Sequence, residues 1–466
     1  MLNKNIPKDI GRFLFLVLIT IIVTYRAPKI IASLWYLFTL VWYYRSKDEP
    51  FWLVFYLVTV DGFIGYFGVY TVTIQALPGL PAIELAQFYI VLCFVKAVQK
   101  KGRPYIFYKR YITILLFYLV FLIVWGQMMG FSGEFKDYFR VIKLTLPFIL
   151  FYTLPRLLTN YESYRRLFAF IFIVLIGAFI TQLFVLLTGL LPTQVTELTA
   201  EQVLEAGSYR GFYNVGITLM GLFGALFYIS ERNNISFSRA YLYSLIISAY
   251  GMAYLSATRG WIISFSFIII ISFVLTSGIN AKKISGFAVF AFIAVSIGLS
   301  NDRIREQVNY ASSRMETLGV VAEGDVTAKG TLSRVDFRGP KVMEIFRGNP
   351  VFGWGFSDTA RKYADSHVGN QTILLYSGII GFILVLGFFG YFSFKLFLLY
   401  HNRRLRITFK SCLPVFIIFL AGWFIIHSTS GQHFNFWGIP AQVIPQAIFF
   451  SFGAFAYSKS KEEIYG

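Results

Sequence analysis

Charged residues are scarce in this chain of 466 residues, at 14% of the total, whereas soluble globular domains carry about 25%. Hydrophobic residues make up 57% and aromatic residues 19%, a composition that suits lipid-facing helices and interfacial aromatic belts. This balance excludes an ordinary cytosolic enzyme. It predicts an all-α protein that crosses a membrane several times.

Cysteine and acidic residues are also few. The two cysteines, Cys93 and Cys412, lie in separate apolar segments, which excludes a disulfide framework and a cysteine metal site. Lys and Arg outnumber Asp and Glu by 42 to 23. Such an excess can bind nucleic acid, but membrane proteins collect Lys and Arg in their cytoplasmic loops. We therefore expect membrane lipids as partners and no nucleic acid.

Long apolar runs recur along the chain. A spanning helix needs about 20 mostly apolar residues, and this length predicts twelve to fourteen spans, the first two short enough to form one helical hairpin. The candidates are 11–25, 30–45, 51–75, 80–98, 111–130, 138–157, 167–190, 214–230, 240–257, 260–278, 284–300, 369–399, 411–428 and 437–457. Residues 1–300 thus hold predicted spans 1–11, and residues 369–466 hold predicted spans 12–14.

Positive charge gathers in alternate loops. The loops after the fourth and twelfth candidates contain Lys96, Lys100, Lys101, Arg103, Lys109 and Arg110, and Arg403, Arg404, Arg406 and Lys410, without an acidic residue. An even number of spans separates these loops, so both can face the cytoplasm. This arrangement predicts that the amino and carboxyl termini are cytoplasmic.

Residues 301–368 interrupt the series of spans. They contain no spanning run, and their ten Lys and Arg nearly balance nine Asp and Glu. The topology places this segment outside the cytoplasm, as one long loop with short amphipathic helices and a Gly/Pro-rich turn, GNPVFGWGF, at 348–356. A loop of this length within a compact protein usually carries function.

Among the cations on the predicted outer side, where positive charge is disfavoured, four are candidate site residues. They are Arg140, Lys143, Arg210 and Arg259. At the bilayer centre such a charge costs roughly 2.5–3.5 kcal/mol. For Arg140 and Lys143 we favour snorkelling to headgroups. Arg210 and Arg259 suit a pyrophosphate on a lipid carrier, because guanidinium binds phosphate through two hydrogen bonds.

Three of the four histidines fall on this same predicted side: His367, His427 and His433. His367 ends the long loop just before the twelfth candidate span, where its imidazole could act as a general base. For His427 and His433 we expect interfacial hydrogen bonding. A zinc site is the less favoured alternative, because no HExxH or CxxC pattern accompanies the histidines.

A regular spacing links the loop end to the following span. His367 and Val368 are followed, after nine residues, by Gly378 and, after two more, by Gly381. Three other phrases precede them in order: YRGFYN at 209–214, SATRGW at 256–261, and TLSR, which ends at Arg334.

Together with the turn at 348–356, these phrases resemble the O-antigen ligase and polymerase family of bacterial envelope enzymes, over approximately residues 200–395. The family's ligases show His, a polar residue, nine residues, Gly, two residues and often Gly. Val368 stands at the polar position, and Asn370 could supply an amide instead. Thr258 replaces the usual Ser before the arginine.

The resemblance implies a metal-independent, inverting glycosyltransferase at the periplasmic face of the bacterial inner membrane, without a cofactor. Its donor would be a glycan on undecaprenyl pyrophosphate, with Arg210 and Arg259 on the pyrophosphate. His367 would take the acceptor's proton or orient its hydroxyl. Secondary roles would fall to Arg334, Arg140, Lys143 and Asn370.

Two alternatives remain open at this stage. A ligase would transfer the glycan to the lipid A–core, and a polymerase would transfer it to another lipid-linked repeat. Arg210 is followed after ten residues by Gly221, which resembles a polymerase loop motif. A lipid-linked oligosaccharide flippase or other transporter is the non-enzymatic alternative. Asp61 within the third candidate span would suit ion coupling, or a helix break beside Gly62.

Overall fold

Helices form nearly all of the ordered structure in the computed structural model. It describes residues 6–63, 72–74, 82–102, 104–188, 212–231, 237–276, 285, 299–317, 319, 334–405, 407–430 and 437–465. Within these ranges the only strands are β1 (Thr73–Ile74) and β2 (Ile83–Glu84), which pair antiparallel. The all-α prediction is confirmed.

Eighteen helices are described in these ranges. They are α1 (Ile6–Arg26), α2 (Lys29–Arg45), α3 (Glu49–Asp61), α4 (Leu85–Gln99), α5 (Lys109–Met128), α6 (Phe135–Thr145), α7 (Leu150–Leu157), α8 (Tyr161–Thr188), α9 (Val215–Ser230), α10 (Arg239–Leu255), α11 (Arg259–Thr276), α12 (Asp302–Glu316), α13 (Gly339–Phe346), α14 (Asp358–Tyr363), α15 (Gly369–His401), α16 (Ile407–Lys410), α17 (Leu413–Ser430) and α18 (Pro440–Tyr465).

Four of these helices, α5, α8, α11 and α15, are long and apolar enough to cross a membrane, and α4, α9 and α17 are apolar but shorter. The described helices therefore have the length and composition of a multi-pass membrane protein. Residues 301–368 hold α12, α13 and α14, which agrees with the expected short helices. The candidate span at 284–300 lies almost entirely outside the described residues.

The core is built around α9, which is buried along almost its whole length. Phe223 of α9 contacts the rings of Phe416, Phe419 and Phe449 at centroid distances of 5.0–5.1 Å. Aromatic pairs of this kind stabilise by about 0.5–1.5 kcal/mol beyond their buried area. Large apolar side chains also cover outward faces, as at Phe117 of α5, which is 70% exposed. Helices that are apolar all round are expected in lipid.

The predicted third span, 51–75, is wrong as a continuous helix. The helix α3 ends at Asp61, and Gly62 follows with a φ of 100°. Mean hydropathy does not detect this break, because apolar residues occupy both sides of it. The fourth span likewise begins at Leu85, after β2, and not at residue 80.

Asp61 serves as a cap for a neighbouring helix. Its carboxylate accepts hydrogen bonds from the backbone N–H groups of Gly216 (3.2 Å) and Ile217 (2.9 Å), in the first turn of α9. A carboxylate there satisfies unpaired donors and interacts favourably with the helix dipole. Of the two sequence interpretations of Asp61, the helix break with buried hydrogen bonds matches these contacts.

The predicted sixth span, 138–157, is also interrupted. It divides into α6, a 3₁₀ turn at Leu146–Ile149 and α7. Pro147 lies within the 3₁₀ turn, where it cannot donate the hydrogen bond that a continuous α-helix requires.

The helix α15 is sharply kinked at Gly378, whose φ is 64° and ψ is −173°. The Gly/Pro-rich turn inserts at this kink. Trp354 and Gly355 donate backbone hydrogen bonds to the carbonyls of Leu375 (2.8 Å) and Tyr376 (2.9 Å). In return, Ile379 and Ile380 donate to the carbonyls of Pro350 (2.9 Å) and Val351 (3.3 Å). Backbone groups freed by the kink therefore regain partners.

Glycine is required at several points of this contact. Gly353, Gly355 and Gly378 all have positive φ angles, which L side chains rarely adopt. A Cβ at Gly353 would lie 2.5 Å from the backbone nitrogen of Gly378, and a Cβ at Gly378 would overlap the carbonyl of Val351. The Gly/Pro-rich turn at 348–356 and Gly378, which are separate features of the sequence, thus form one interlocked unit in the structure.

We expect Gly378→Ala to destabilise the protein by at least about 2 kcal/mol, since it combines a disfavoured backbone conformation with a steric overlap. Gly390→Ala is the matched control, because Gly390 lies in the same helix and no atom lies within 4 Å of a Cβ there. Thermal unfolding of the purified protein in detergent checks both. Equal unfolding temperatures for the two variants would contradict the interlocked kink.

Candidate active site

His367 lies in a tight turn directly before α15. The Asp365 carboxylate accepts the backbone N–H of His367 at 2.8 Å, as in an Asx turn. The Asp365 carbonyl accepts from the Thr372 hydroxyl (2.8 Å) and from the Val368 N–H (3.2 Å). These bonds fix the turn to the first residues of α15 and leave the side chain of His367 exposed.

Arg338 supports this turn from the preceding segment. Its Nη1 donates to both carboxylate oxygens of Asp365, each at 3.2 Å. Arg338 ends a π-helical turn, Arg334–Arg338, that leads into α13. Gly339 allows this turn to close, because a Cβ there would lie 2.6 Å from the carbonyl oxygen of Arg334.

Arg334 and Arg338 act on the Asp365–His367 turn, and Arg314 and Arg259 act on Arg334. Burial and then the positive charges of Arg338, Arg314 and Arg259 lower the pKa of Arg334, and Asp365 opposes this effect. Arg334 therefore lies within electrostatic reach of each of these groups. We call Arg259, Arg314, Arg334 and Arg338 the arginine cluster. Neighbouring positive charges disfavour one another's charged form, and Asp365 supplies a negative charge that offsets this at Arg334.

Arg259 begins α11, after a tight hairpin from α10, and its side chain is buried. Its Nε donates to the carbonyl of Arg314 at 2.7 Å, and its Nη2 donates to the hydroxyl of Thr317. Both acceptors lie at the carboxyl end of α12, where the helix dipole favours a cation. Arg259 thus fastens α12 over the hairpin, a contact that the sequence does not predict.

The helix α12 is held over the same hairpin by two further contacts. The Gln307 side chain donates to the carbonyl of Leu255 at 2.6 Å, and the Tyr254 and Ser312 hydroxyls lie 2.8 Å apart. This packing places Arg314, in the last turn of α12, beside Arg259 and Arg334.

The same charges act on His367. Partial burial, together with Arg338 and Arg334, lowers the pKa of His367 below its usual value, and Asp365 partly offsets this shift. The imidazole is therefore neutral at neutral pH. A neutral imidazole has a lone pair that can accept a proton.

Two polar side chains lie close to His367 along the chain or in space. Asn370 lies in the first turn of α15, and its Oδ1 is buried and accepts no hydrogen bond from the described residues. His427 of α17 is fully buried, next to the backbone of Gly369. His427 is hydrogen-bonded there, as expected, and it lies inside the protein.

Arg140 and Lys143 have partners outside the arginine cluster. Lys143 forms an ion pair with Glu84 of β2, and Arg140 lies 3.4 Å from Asp137. Asp137 is also paired with Arg361, which contacts Asp358 as well. Snorkelling alone is therefore not the explanation for either cation, because each has a carboxylate beside it.

Two predicted site residues, Arg210 and His433, lie outside the described residues. Within the described ranges, no three His, Cys, Asp or Glu side chains come together as a metal site requires.

The sequence reasoning missed Arg314, Arg338 and Asp365. The phrase DSH contains an Asx-turn signal for Asp365, whereas nothing in the sequence marks Arg314.

Comparison with known proteins adds no assignment. No protein-family model and no curated protein matches the chain.

Removal of the positive charge at Arg338 and removal of the negative charge at Asp365 should shift the pKa of His367 in opposite directions. Arg338→Gln should raise the pKa, because it removes one opposing charge and frees Asp365. Asp365→Asn should lower it, because the only charge that favours protonation is lost. Nuclear magnetic resonance of labelled histidine, assigned with His367→Gln, measures both shifts. Arg347→Gln, at an exposed arginine of the same segment, should leave the pKa unchanged. Shifts of the same sign would contradict the arrangement.

Proposed function

We propose that the protein is a glycosyltransferase of the bacterial inner membrane that uses a polyprenyl-pyrophosphate-linked glycan as donor. The observation that supports this most is the position of Arg334 and Arg338 at the Asp365–His367 turn, with Arg259 and Arg314 acting on Arg334. A site that loses a pyrophosphate needs cations where negative charge develops and a group that accepts a proton from the incoming hydroxyl. Both are present side by side.

The arginine cluster provides the positive charge. Arg338 pairs with Asp365, while Arg334 lies close to the charges of Arg338, Arg314 and Arg259, so positive charge exceeds negative charge in a way that suits a pyrophosphate. Arg259 uses its Nε and Nη2 toward Arg314 and Thr317. Because these two donors of Arg259 are occupied by protein groups, we propose that Arg314 and Arg334 bind the donor pyrophosphate together with Arg210 and Arg259. The developing charge on the leaving pyrophosphate is stabilised without any metal ion.

His367 acts on the acceptor. Its neutral imidazole takes the proton of the acceptor hydroxyl while the hydroxyl oxygen forms a bond to the anomeric carbon of the donor sugar. The bond from that carbon to the pyrophosphate oxygen breaks, and its electron pair leaves with the pyrophosphate. Attack from the opposite side inverts the anomeric centre. The amide N–H group of Asn370, in the first turn of α15, donates to the oxygen of that hydroxyl and orients it.

The acceptor distinguishes two forms of this reaction. A ligase transfers the glycan to a lipid A–core sugar, which we favour from the His–Gly spacing. A polymerase transfers it to a second lipid-linked repeat. The site is the same in both cases, because only the acceptor hydroxyl differs.

The proposed orientation places residues 301–368 in the periplasm and both termini in the cytoplasm. Cys93 and Cys412 are both buried, so single cysteines can be added to the natural sequence. Ser313→Cys, on the exposed side of α12, should react with an impermeant thiol reagent in intact spheroplasts. Lys101→Cys should react only after the membrane is opened. The reverse pattern would overturn the orientation and the outer location of the site.

Activity is tested with purified protein, a lipid-linked glycan and each acceptor in turn, by measuring release of undecaprenyl pyrophosphate. His367→Ala should reduce transfer about a hundredfold to ten-thousandfold, as expected for loss of a general base. Arg334→Gln should impair transfer, and the matched variant Arg347→Gln should not. Recovery of most activity in His367→Gln would show that His367 orients the acceptor and takes no proton.

Further outcomes separate the alternatives. Release with the lipid A–core acceptor supports a ligase, and release with the lipid-linked repeat alone supports a polymerase. Movement of the intact donor across vesicles without release would support a flippase and overturn the transferase proposal. Loss of activity in EDTA, recovered with a divalent ion, would contradict the metal-independent site.

A further inference from the structure

A groove between α1, α2 and α3 has a composition that the proposed reaction does not use. Its cavity volume is about 180 Å³. Its lining includes Arg12, Trp35, Trp42, Asp48 and Trp52. Pockets that enclose a whole drug-sized ligand measure about 300–1,000 Å³. The groove therefore fits one end of a longer molecule.

The groove is polar at one end and apolar along the rest. Arg12, Ser46 and Asp48 form the polar end. Ile19 lies about two turns further along α1 than Arg12, and Trp35 lies about three turns before the end of α2. From Trp35 to Ser46 the rise along α2 is about 16 Å. Half of a hydrocarbon core of about 30 Å is a similar length, so the groove has the depth of one leaflet.

The walls of the groove differ in exposure. Trp52 and Leu16 form a buried floor, whereas Phe15 is 64% exposed and Trp42 is 40% exposed. The Trp42 and Trp52 rings lie 5.4 Å apart, edge to face. A groove with a rigid aromatic floor and an open apolar rim accepts an acyl chain from the surrounding lipid.

The polar end presents charges of both signs. Arg166 bridges Asp9 (2.8 Å) and Asp48 (2.7 Å), and Arg12 lies 4.0 Å from Asp9. The Arg12 side chain is 68% exposed. Among the described residues, Asp9 at this long distance is its only ion-pair partner, so its donors are available to a ligand. Asp48 lines the groove as well and offers a negative charge beside that cation.

We propose that this groove binds a phospholipid whose headgroup carries both a phosphate and a primary ammonium group. Arg12 donates hydrogen bonds to the phosphate, and Asp48 accepts hydrogen bonds from the ammonium. One acyl chain lies over Trp42 and Trp52 and continues along the exposed faces of α1 and α2. The site is independent of the arginine cluster and of the proposed transferase activity.

The test is native mass spectrometry of the delipidated full-length protein with phosphatidylethanolamine, phosphatidylglycerol and phosphatidylcholine. Phosphatidylethanolamine should bind most tightly, because the second lipid lacks the ammonium and the third lacks ammonium N–H donors. Arg12→Gln should weaken its binding at least about tenfold, as expected for lost charge-assisted hydrogen bonds. Arg26→Gln, at an exposed arginine on the other end of α1, should bind as the natural protein does.

Asp48→Asn separates recognition from folding. Asp48 is the amino-terminal cap of α3, and its side chain accepts the N–H of Phe51. Asn caps a helix as well as Asp does, so the helix should persist; the negative charge is lost, and with it the Asp48 half of the Arg166 bridge, whose other half, Asp9, remains. The variant should lose its preference for phosphatidylethanolamine over phosphatidylglycerol.

Three results would overturn the proposal. Equal binding of all three lipids by the natural protein would show that the headgroup is not recognised. Unchanged binding in Arg12→Gln would place the phosphate elsewhere. A brominated phosphatidylethanolamine that quenches the natural protein and Trp42→Phe to the same degree would show that the chain does not lie in this groove.

Discussion

The hydrogen-bond exchange between residues 348–356 and the kink at Gly378 is the constraint on which the candidate site depends. A backbone group without a partner costs several kcal/mol in lipid, so a broken helix must be completed by other protein groups. The turn completes α15 with two donors and two acceptors. The Trp354 indole also donates to the carbonyl of Ile345 at 2.9 Å, which joins α13 to the same unit.

This unit sets where the charged residues lie. Val342 and Phe346 are buried as α13 packs on α15, and the π-helical turn before α13 then brings Arg334 and Arg338 beside Asp365. The Asp365–His367 turn is also bonded to α15, because the Thr372 hydroxyl donates to the carbonyl of Asp365. The basic residues and the imidazole therefore share one support, the amino-terminal part of α15, although 33 positions separate Arg334 from His367 in the sequence.

Sequence reasoning predicted the helical membrane class and the short helices of residues 301–368, because both follow from hydropathy and its periodicity. It did not predict the end of α3 at Asp61, since an apolar composition does not distinguish helix from buried non-helical backbone. It misjudged Lys143, because the carboxylate partner of that residue is fixed by tertiary packing, whereas the partner of Arg140, Asp137, lies three residues earlier in the same helix. The ion-pair partner of Lys143, Glu84, is 59 positions away in the chain.

The site itself was predictable only in part. His367 and Arg334 stand out by position and spacing, and the glycines stand out because only they fit the backbone of the interlocked turn. Arg314 enters the site through the packing of α12 on the hairpin between α10 and α11, which no local pattern records. The roles of all these residues remain proposals that rest on chemistry and proximity.

The order of synthesis gives the interlocked turn one more consequence. Residues 348–356 leave the ribosome before α15 does, so the segment that completes the broken helix is made first. Without the turn, a kinked α15 would leave the backbone groups of Leu375, Tyr376, Ile379 and Ile380 unpaired. A straight helix pairs such groups internally, so α15 bends only when the turn docks. Assembly of the candidate site is thereby coupled to the bending of this one helix.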